Sequence, residues 1–521
     1  MSSIADYSGR LRRVCDLDAA FLREYSGLHD DYDGRVADLS PGGIAATLGR
    51  LGGEPLDDPH DDAQLAATEN AMRVRFGDLQ QHRWDPWVHI EALDLSSYER
   101  PYADAATRAE ARRRHLKHWD DVVDNAIESL DQLAAPVAEA FLGSVRGMAA
   151  NITADDGESG RAGLAALGRL DAHLARAAAV GDPAPSLGSA KLIALLGCED
   201  GLTVDLGALT TMADREYERM IEIRAEAAAR LAPGRPIAEI SAELRRDHGD
   251  FAEVVASTQR EVEAGARFAR ERDLLPVIDD ECVVEPSPPA RAWAPARVSW
   301  RAPWESRGHS LFHMSPPAVD WSGADRRTWL DRFNRAASSV VAVHEVAPGH
   351  CSHALMMARC EQPVRRTLWS ELFFEGWAHY VEEMMWEEGY QAETARYQFA
   401  MAEEAMMRTI RVQAAVGIHT GQLSVADATA LFEARTALTG AAARGEARRG
   451  IWEPTYVRYT WGKVLVRQLR ETARAAWGAN FSLARFHREL LSFGSPPVGL
   501  VPAALKLTMT DASVRQGEPN V

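Results

Sequence analysis

His344-Glu345-Val346-Ala347-Pro348-Gly349-His350 is the stretch that decides how this chain reads. An apolar lead-in, Ser338-Ser339-Val340-Val341-Ala342-Val343, runs straight into it. Further on, a second charged island stands in apolar surroundings: Phe373-Phe374-Glu375-Gly376-Trp377-Ala378-His379-Tyr380. Two histidines, a glutamate beside the first and a glutamate on a second helix are the parts of a zinc hydrolase. His344, His350 and Glu375 are then the expected metal ligands. Glu345 is the expected general base, acting on a water that the metal activates.

The spacing of the histidines is unusual. Ligands four apart on a helix, as in His-Glu-x-x-His, differ by only about 40° of rotation and share a face. Here they are six apart, which on an unbroken helix means about 120° of rotation and about 9 Å of rise. Pro348 removes the difficulty, because it has no N–H for the carbonyl of His344 and its ring clashes there. The helix must bulge, kink or stop, and Gly349 gives the backbone latitude for it. The bland alternative, a surface helix with a capping proline, explains the His-Glu pair but not Glu375 or the apolar flanks.

His-Glu-x-x-Pro-Gly-His followed by Glu-Gly-Trp-Ala resembles the bacterial metallopeptidase-like family known as domain of unknown function 885. The likeness continues through Gly417-Ile418-His419, Tyr459-Thr460-Trp461-Gly462-Lys463 with Arg470, Phe486-His487 and Gly494-Ser495-Pro496-Pro497. It is specific from about residue 185 to 505. It implies a mainly helical, zincin-like fold with a deep central cleft, a single zinc ion per chain and peptidase chemistry. Departures fall at Cys351, His353, His379 and Ala415, and they bear on substrate preference more than on the metal.

Supporting residues follow from helical geometry. Glu371 lies one turn before Glu375 and is a candidate acceptor behind a ligand histidine. His379 lies one turn after it, placed to bond Glu375, to act as a fourth ligand, to meet substrate or simply to pack. Cys351 is either a soft ligand or a small packed residue. Tyr459 is the first candidate to donate to a developing oxyanion, with His419 and His487 as second choices. Tyr459, Gly462, Val466 and Arg470 share a helix face. A glycine there would admit substrate or another helix. Arg470 and Lys463 are candidates to hold a substrate carboxylate.

The rest of the 521 residues sets bounds. Lys+Arg 58 against Asp+Glu 76 gives a net charge of −18, which argues against nucleic acid or an anionic membrane surface as partner. No run is apolar and long enough to span a bilayer, and the residues from Met1 to Tyr7 lack the pattern of a signal peptide. Five scattered cysteines without a Cys-x-x-Cys make a disulfide framework improbable, so a cytoplasmic location is expected.

The chain reads as mainly α, with long Ala-rich amphipathic segments. His115 and His118 lie in one of these and have no evident third ligand. Composition shifts near residue 275, suggesting an N-terminal helical lobe over 1–275 and a metal-binding catalytic lobe over 276–521, or one intertwined fold. Proline- and valine-rich sequence over 282–317 predicts a small extended or β segment beside the metal helices. Ser322 or Asp325 is the expected cap of the first metal helix. Together these readings point to a zinc-dependent hydrolase of amide bonds in short peptides. A tailoring amidohydrolase for one small metabolite and a non-catalytic metal-stabilised scaffold are the alternatives.

Overall fold

The computed structural model describes residues 7–279, 281–287, 295–319 and 321–508. These form a helical protein with one small mixed sheet. The sheet falls in the expected extended segment. Its strands are β1 (Val283–Pro286), β2 (Ala296–Ser299) and β3 (Leu311–Met314), in the order β1-β3-β2. β3 pairs parallel with β1 and antiparallel with β2. Pro288 and Pro289, read as part of the same segment, lie outside the described residues.

Two large cores hold the helices together. One is made almost wholly by residues 11–174, with Val364, Leu368 and Ile451 joining from the far end of the sequence. The other runs from Leu192 to Leu507 and contains both Tyr217 and Met220 from one long helix and Trp377, Met401 and Trp461 from later ones. Residues from both sides of position 275 share this second core.

Helices start where polar caps satisfy their first amides. The helix that carries His344, Arg335–Glu345, is capped by Asn334, whose side chain accepts from Ala337 N at 3.0 Å. This corrects the expected cap: Ser322 instead starts a separate short helix, Gly323–Leu330. The helix that carries Glu375, Glu371–Glu387, is capped by Ser370. It crosses the Arg458–Trp477 helix at a pair of glycines. A Cβ on Gly376 would lie 2.5 Å from Gly462 Cα, and one on Gly462 would lie 2.2 Å from Leu372 O. The glycine read from the sequence as a place of close approach admits another helix.

Candidate metal centre

The backbone between the two histidines is not a bulge within one helix. The first helix stops at Glu345, the Ala347–Pro348 peptide is cis, and a second helix, His350–Met357, begins directly after. Gly349 N donates back to Val343 O at 3.1 Å, and Trp377 Nε1 donates to Pro348 O at 3.0 Å, so the reversal is tied at both ends. Gly349 is required by space: a Cβ there would sit 1.8 Å from His344 O. The restart places the two imidazoles 4.7 Å apart at 85° to each other.

Glu375 meets both rings. Its Oε2 lies 3.4 Å from His344 Nε2 and 3.3 Å from His350 Nε2, and the three ligand atoms are all within 4.8 Å of one another. Among the described residues this is the one such cluster of three or more His, Cys, Asp or Glu side chains. A tetrahedral zinc with bonds of about 2.0–2.1 Å sets neighbouring donors about 3.3–3.4 Å apart, the span from Glu375 to each histidine. Glu375 Oε2 is buried yet makes no hydrogen bond. A buried carboxylate oxygen needs a positive partner, which a protonated ring supplies at 3.3–3.4 Å and a bound cation would supply in its place.

Electrostatics point the same way. Burial disfavours a charge on His344, but the Glu375 and Glu382 carboxylates outweigh it and lift the ring's pKa to about 9. Burial pushes the Glu375 carboxyl up, while the His350 and His344 rings hold it well below the usual range. A nest that draws in a proton this strongly would also favour a cation. Two imidazoles and a carboxylate suit zinc among the common divalent metals.

Tyr459 belongs to this neighbourhood. Its ring lies 6.4 Å from that of His344, at 29°, and its hydroxyl accepts from Arg449 Nη2 at 3.1 Å. Burial and the nearby Glu375 raise its pKa, so the phenol stays protonated and able to donate. The guanidiniums of Arg408, Arg411, Arg449 and Arg458 lie 5.0 to 5.9 Å from its ring centre. Glu345 ends its helix next to His344 and is half-buried. His350 stacks on Phe374 with centroids 4.1 Å apart, and Trp300, just beyond β2, is 6.0 Å away.

Several expected site residues lie elsewhere. Lys463 is fully buried and pairs with Glu216 (2.9 Å) and Glu383 (2.7 Å), so it is unavailable to a substrate. Arg470 pairs with Glu387, at the far end of the helix from Glu375, and with Glu471. His419 bonds the Gly450 carbonyl at 2.7 Å, and His487 bonds Leu274 O and the Tyr380 hydroxyl. Burial pushes both of these rings down to about 4. Neither is therefore placed to meet an oxyanion, and both act as internal struts. His353 bonds the Gly494 carbonyl, and Cys351 is a buried thiol whose pKa burial pushes up. Neither joins the three-residue cluster. Glu371 pairs with Arg458 at 2.7 Å and so does not back a ligand.

The residue that does stand behind a ligand is Glu382. Its Oε1 lies 2.6 Å from His344 Nδ1, and its Oε2 lies 3.1 Å from His379 Nδ1 and 3.0 Å from Arg408 Nη1. His379 is thus a partner of Glu382 and lies outside the ligand cluster. Glu382 escaped the sequence reading, although it lies seven residues after Glu375, two helical turns on and on the same face.

A family profile described as "Bacterial protein of unknown function (DUF885)" matches residues 22–505. No curated protein matches. A solved structure from Shewanella oneidensis, described as a "putative lipoprotein of unknown function", is 17% identical with a TM-score of 0.74. That match covers 97% of this chain and 100% of the other. A second solved structure, a "putative lipoprotein" from Colwellia psychrerythraea, is 15% identical with a TM-score of 0.75. It covers 95% of this chain and 96% of the other. At these identities the likeness is one of fold.

Proposed function

The chain belongs to the DUF885 family of bacterial proteins, and we propose that it is a zinc-dependent hydrolase of amide bonds in short peptides, with a zincin-like set of ligands. The observation that carries this reading is the convergence of His344, His350 and Glu375 on one point, with a buried carboxylate oxygen between the two ring nitrogens. One zinc ion bound there would polarise the scissile carbonyl and acidify water. Glu345 takes the proton of the attacking water and passes it to the leaving amine. Tyr459, already protonated and fixed by Arg449, donates to the carbonyl oxygen as negative charge builds on it. The near-complete burial of both histidines favours small substrates over folded proteins. Nucleic acid and membranes are not among the proposed partners.

A second reading has its own support. Lys463 and Arg470, the cations expected to hold a peptide carboxylate, are committed to internal glutamates. A tailoring amidohydrolase for one small amide metabolite needs no such clamp. A cytoplasmic setting is part of the proposal and is supported by five buried, unpaired cysteines. The lipoprotein descriptions of the two solved relatives favour the cell envelope instead, and fractionation separates the two.

The test is metal content by plasma mass spectrometry with a peptide screen. About one zinc per chain, lost in Glu375→Ala, supports the site. Glu345→Gln is expected to keep zinc and lose about 10²- to 10⁴-fold in turnover. Failure on a broad peptide panel, with zinc retained, favours the metabolite reading. A chain that takes up no divalent metal sinks both, and a Glu345→Gln variant with every activity intact leaves only the scaffold.

A further inference from the structure

We propose that Glu382 is the positioning residue of this site, fixing which nitrogen of His344 faces the metal. This rests on the metal reading above. Glu382 is fully buried on the same helix as Glu375. The His344 ring bridges the two carboxylates, with Nδ1 2.6 Å from Glu382 and Nε2 3.4 Å from Glu375. Glu382 accepts from the Arg408 guanidinium on its other oxygen and accepts here as well, so the hydrogen in the short contact belongs to Nδ1. That leaves Nε2, once its own proton is given up, as the nitrogen whose lone pair faces the ligand cluster. The opposite tautomer would break this bond and put a hydrogen where the metal must sit.

Two further partners hold Glu382 in place. Arg408 donates to Oε2 at 3.0 Å. His379 reaches the same oxygen at 3.1 Å, and burial keeps this ring neutral, so its Nδ1 carries a hydrogen to give. His350 has nothing comparable: its Nδ1 is buried and unbonded, and its ring is held by stacking on Phe374. Orientation of the ligand set is therefore concentrated in the contact between His344 and Glu382. His379, read from the sequence as a possible ligand or substrate contact, serves this contact instead.

The experiment measures zinc and cobalt affinity of the full chain by competition with a chromophoric chelator, together with the visible spectrum of the cobalt form. Glu382→Gln keeps the shape but can offer either a donor or an acceptor to Nδ1, so it no longer selects one tautomer. Glu382→Asp keeps the charge beside Arg408 and withdraws it from His344. Each is expected to bind metal about 10- to 100-fold more weakly, the usual effect of removing a ligand's hydrogen-bond partner. The cobalt spectrum is expected to change, with near-ultraviolet circular dichroism preserved. Glu383→Gln is the control, because Glu383 is as deeply buried and pairs with Lys463 and Arg219 but does not touch His344. It is expected to keep wild-type affinity. Should Glu382→Gln fail to fold, Glu382→Asp decides. Folded Glu382 variants with wild-type affinity and an unchanged cobalt spectrum overturn the proposal and leave the metal site standing. A wild-type chain that binds neither metal overturns both.

Discussion

At Gly349 the whole site depends on one missing methyl group. The Cβ of Gly349→Ala would fall 1.8 Å from His344 O, on backbone that cannot swing aside as a side chain can. Overpacking of this kind costs about 1–3 kcal/mol. The strain lands between the two histidines, so zinc retention is expected to fall along with the urea midpoint, and both are measured on the same sample. His29 makes a separate prediction. Its ring lies between Asp33 (2.9 Å) and Glu305 (2.8 Å), and Arg100 pairs with the same Glu305. Burial opposes protonation, but the two carboxylates outweigh it and raise the pKa. A raised histidine stabilises most below its unfolded value of about 6.5, and that contribution is lost as pH rises through the higher folded value. The stability gap between wild type and His29→Gln in urea is therefore expected to be larger at pH 6 than at pH 9. At this scale the cluster of His344, His350 and Glu375 was legible because proline, glycine and spacing are local signals. Lys463 and Arg470 misled because a cation on a helix face looks the same whether its partner is a substrate or an internal glutamate. Their partners Glu216, Glu383 and Glu387 are remote in sequence.

At the scale of elements, the site is a crossing of helices held at short range. Gly376 follows Glu375, and Gly462 lies three residues after Tyr459, so the closest approach of the two helices lies beside both site residues. Gly462→Ala would push a methyl to within 2.2 Å of Leu372 O. The helices must separate, at a cost of about 1–3 kcal/mol. Chemical denaturation is expected to show that loss. Turnover of any substrate found for the protein should fall more than the stability loss explains, because Tyr459 retreats from Glu375. An unchanged denaturation midpoint would mean that the crossing is looser than described. Helices were legible from caps, prolines and glycines, and the extended segment from its composition. The order of its strands was not, because parallel pairing of β1 with β3 depends on contacts far apart in sequence. The cap of the first metal helix was misread because Ser322 and Asn334 are equally good caps and only the intervening short helix separates them.

For the molecule as a whole, the composition shift near residue 275 marks a change of sequence style within one core. Leu209, Tyr217 and Met220, from before it, share that core with Trp377, Met401, Tyr459 and Leu490, from after it. The ionic layer crosses as well: Glu216 and Arg219 supply one half of the buried set completed by Glu383 and Lys463. A fragment of residues 276–521 would expose the apolar face that the Leu206–Leu231 helix covers. It would also leave Lys463 with one carboxylate where it now has two. Since whole domains are stable by only about 5–15 kcal/mol, the fragment is expected to aggregate or to be cleaved rapidly by protease. A fragment beginning near residue 186 keeps both helices and the ionic layer, and loses chiefly the separate core of residues 11–174. Limited proteolysis and circular dichroism of the two fragments check the argument. A folded, protease-resistant 276–521 fragment would show that the ligand-bearing helices form an independent unit and that the shared core is dispensable to them.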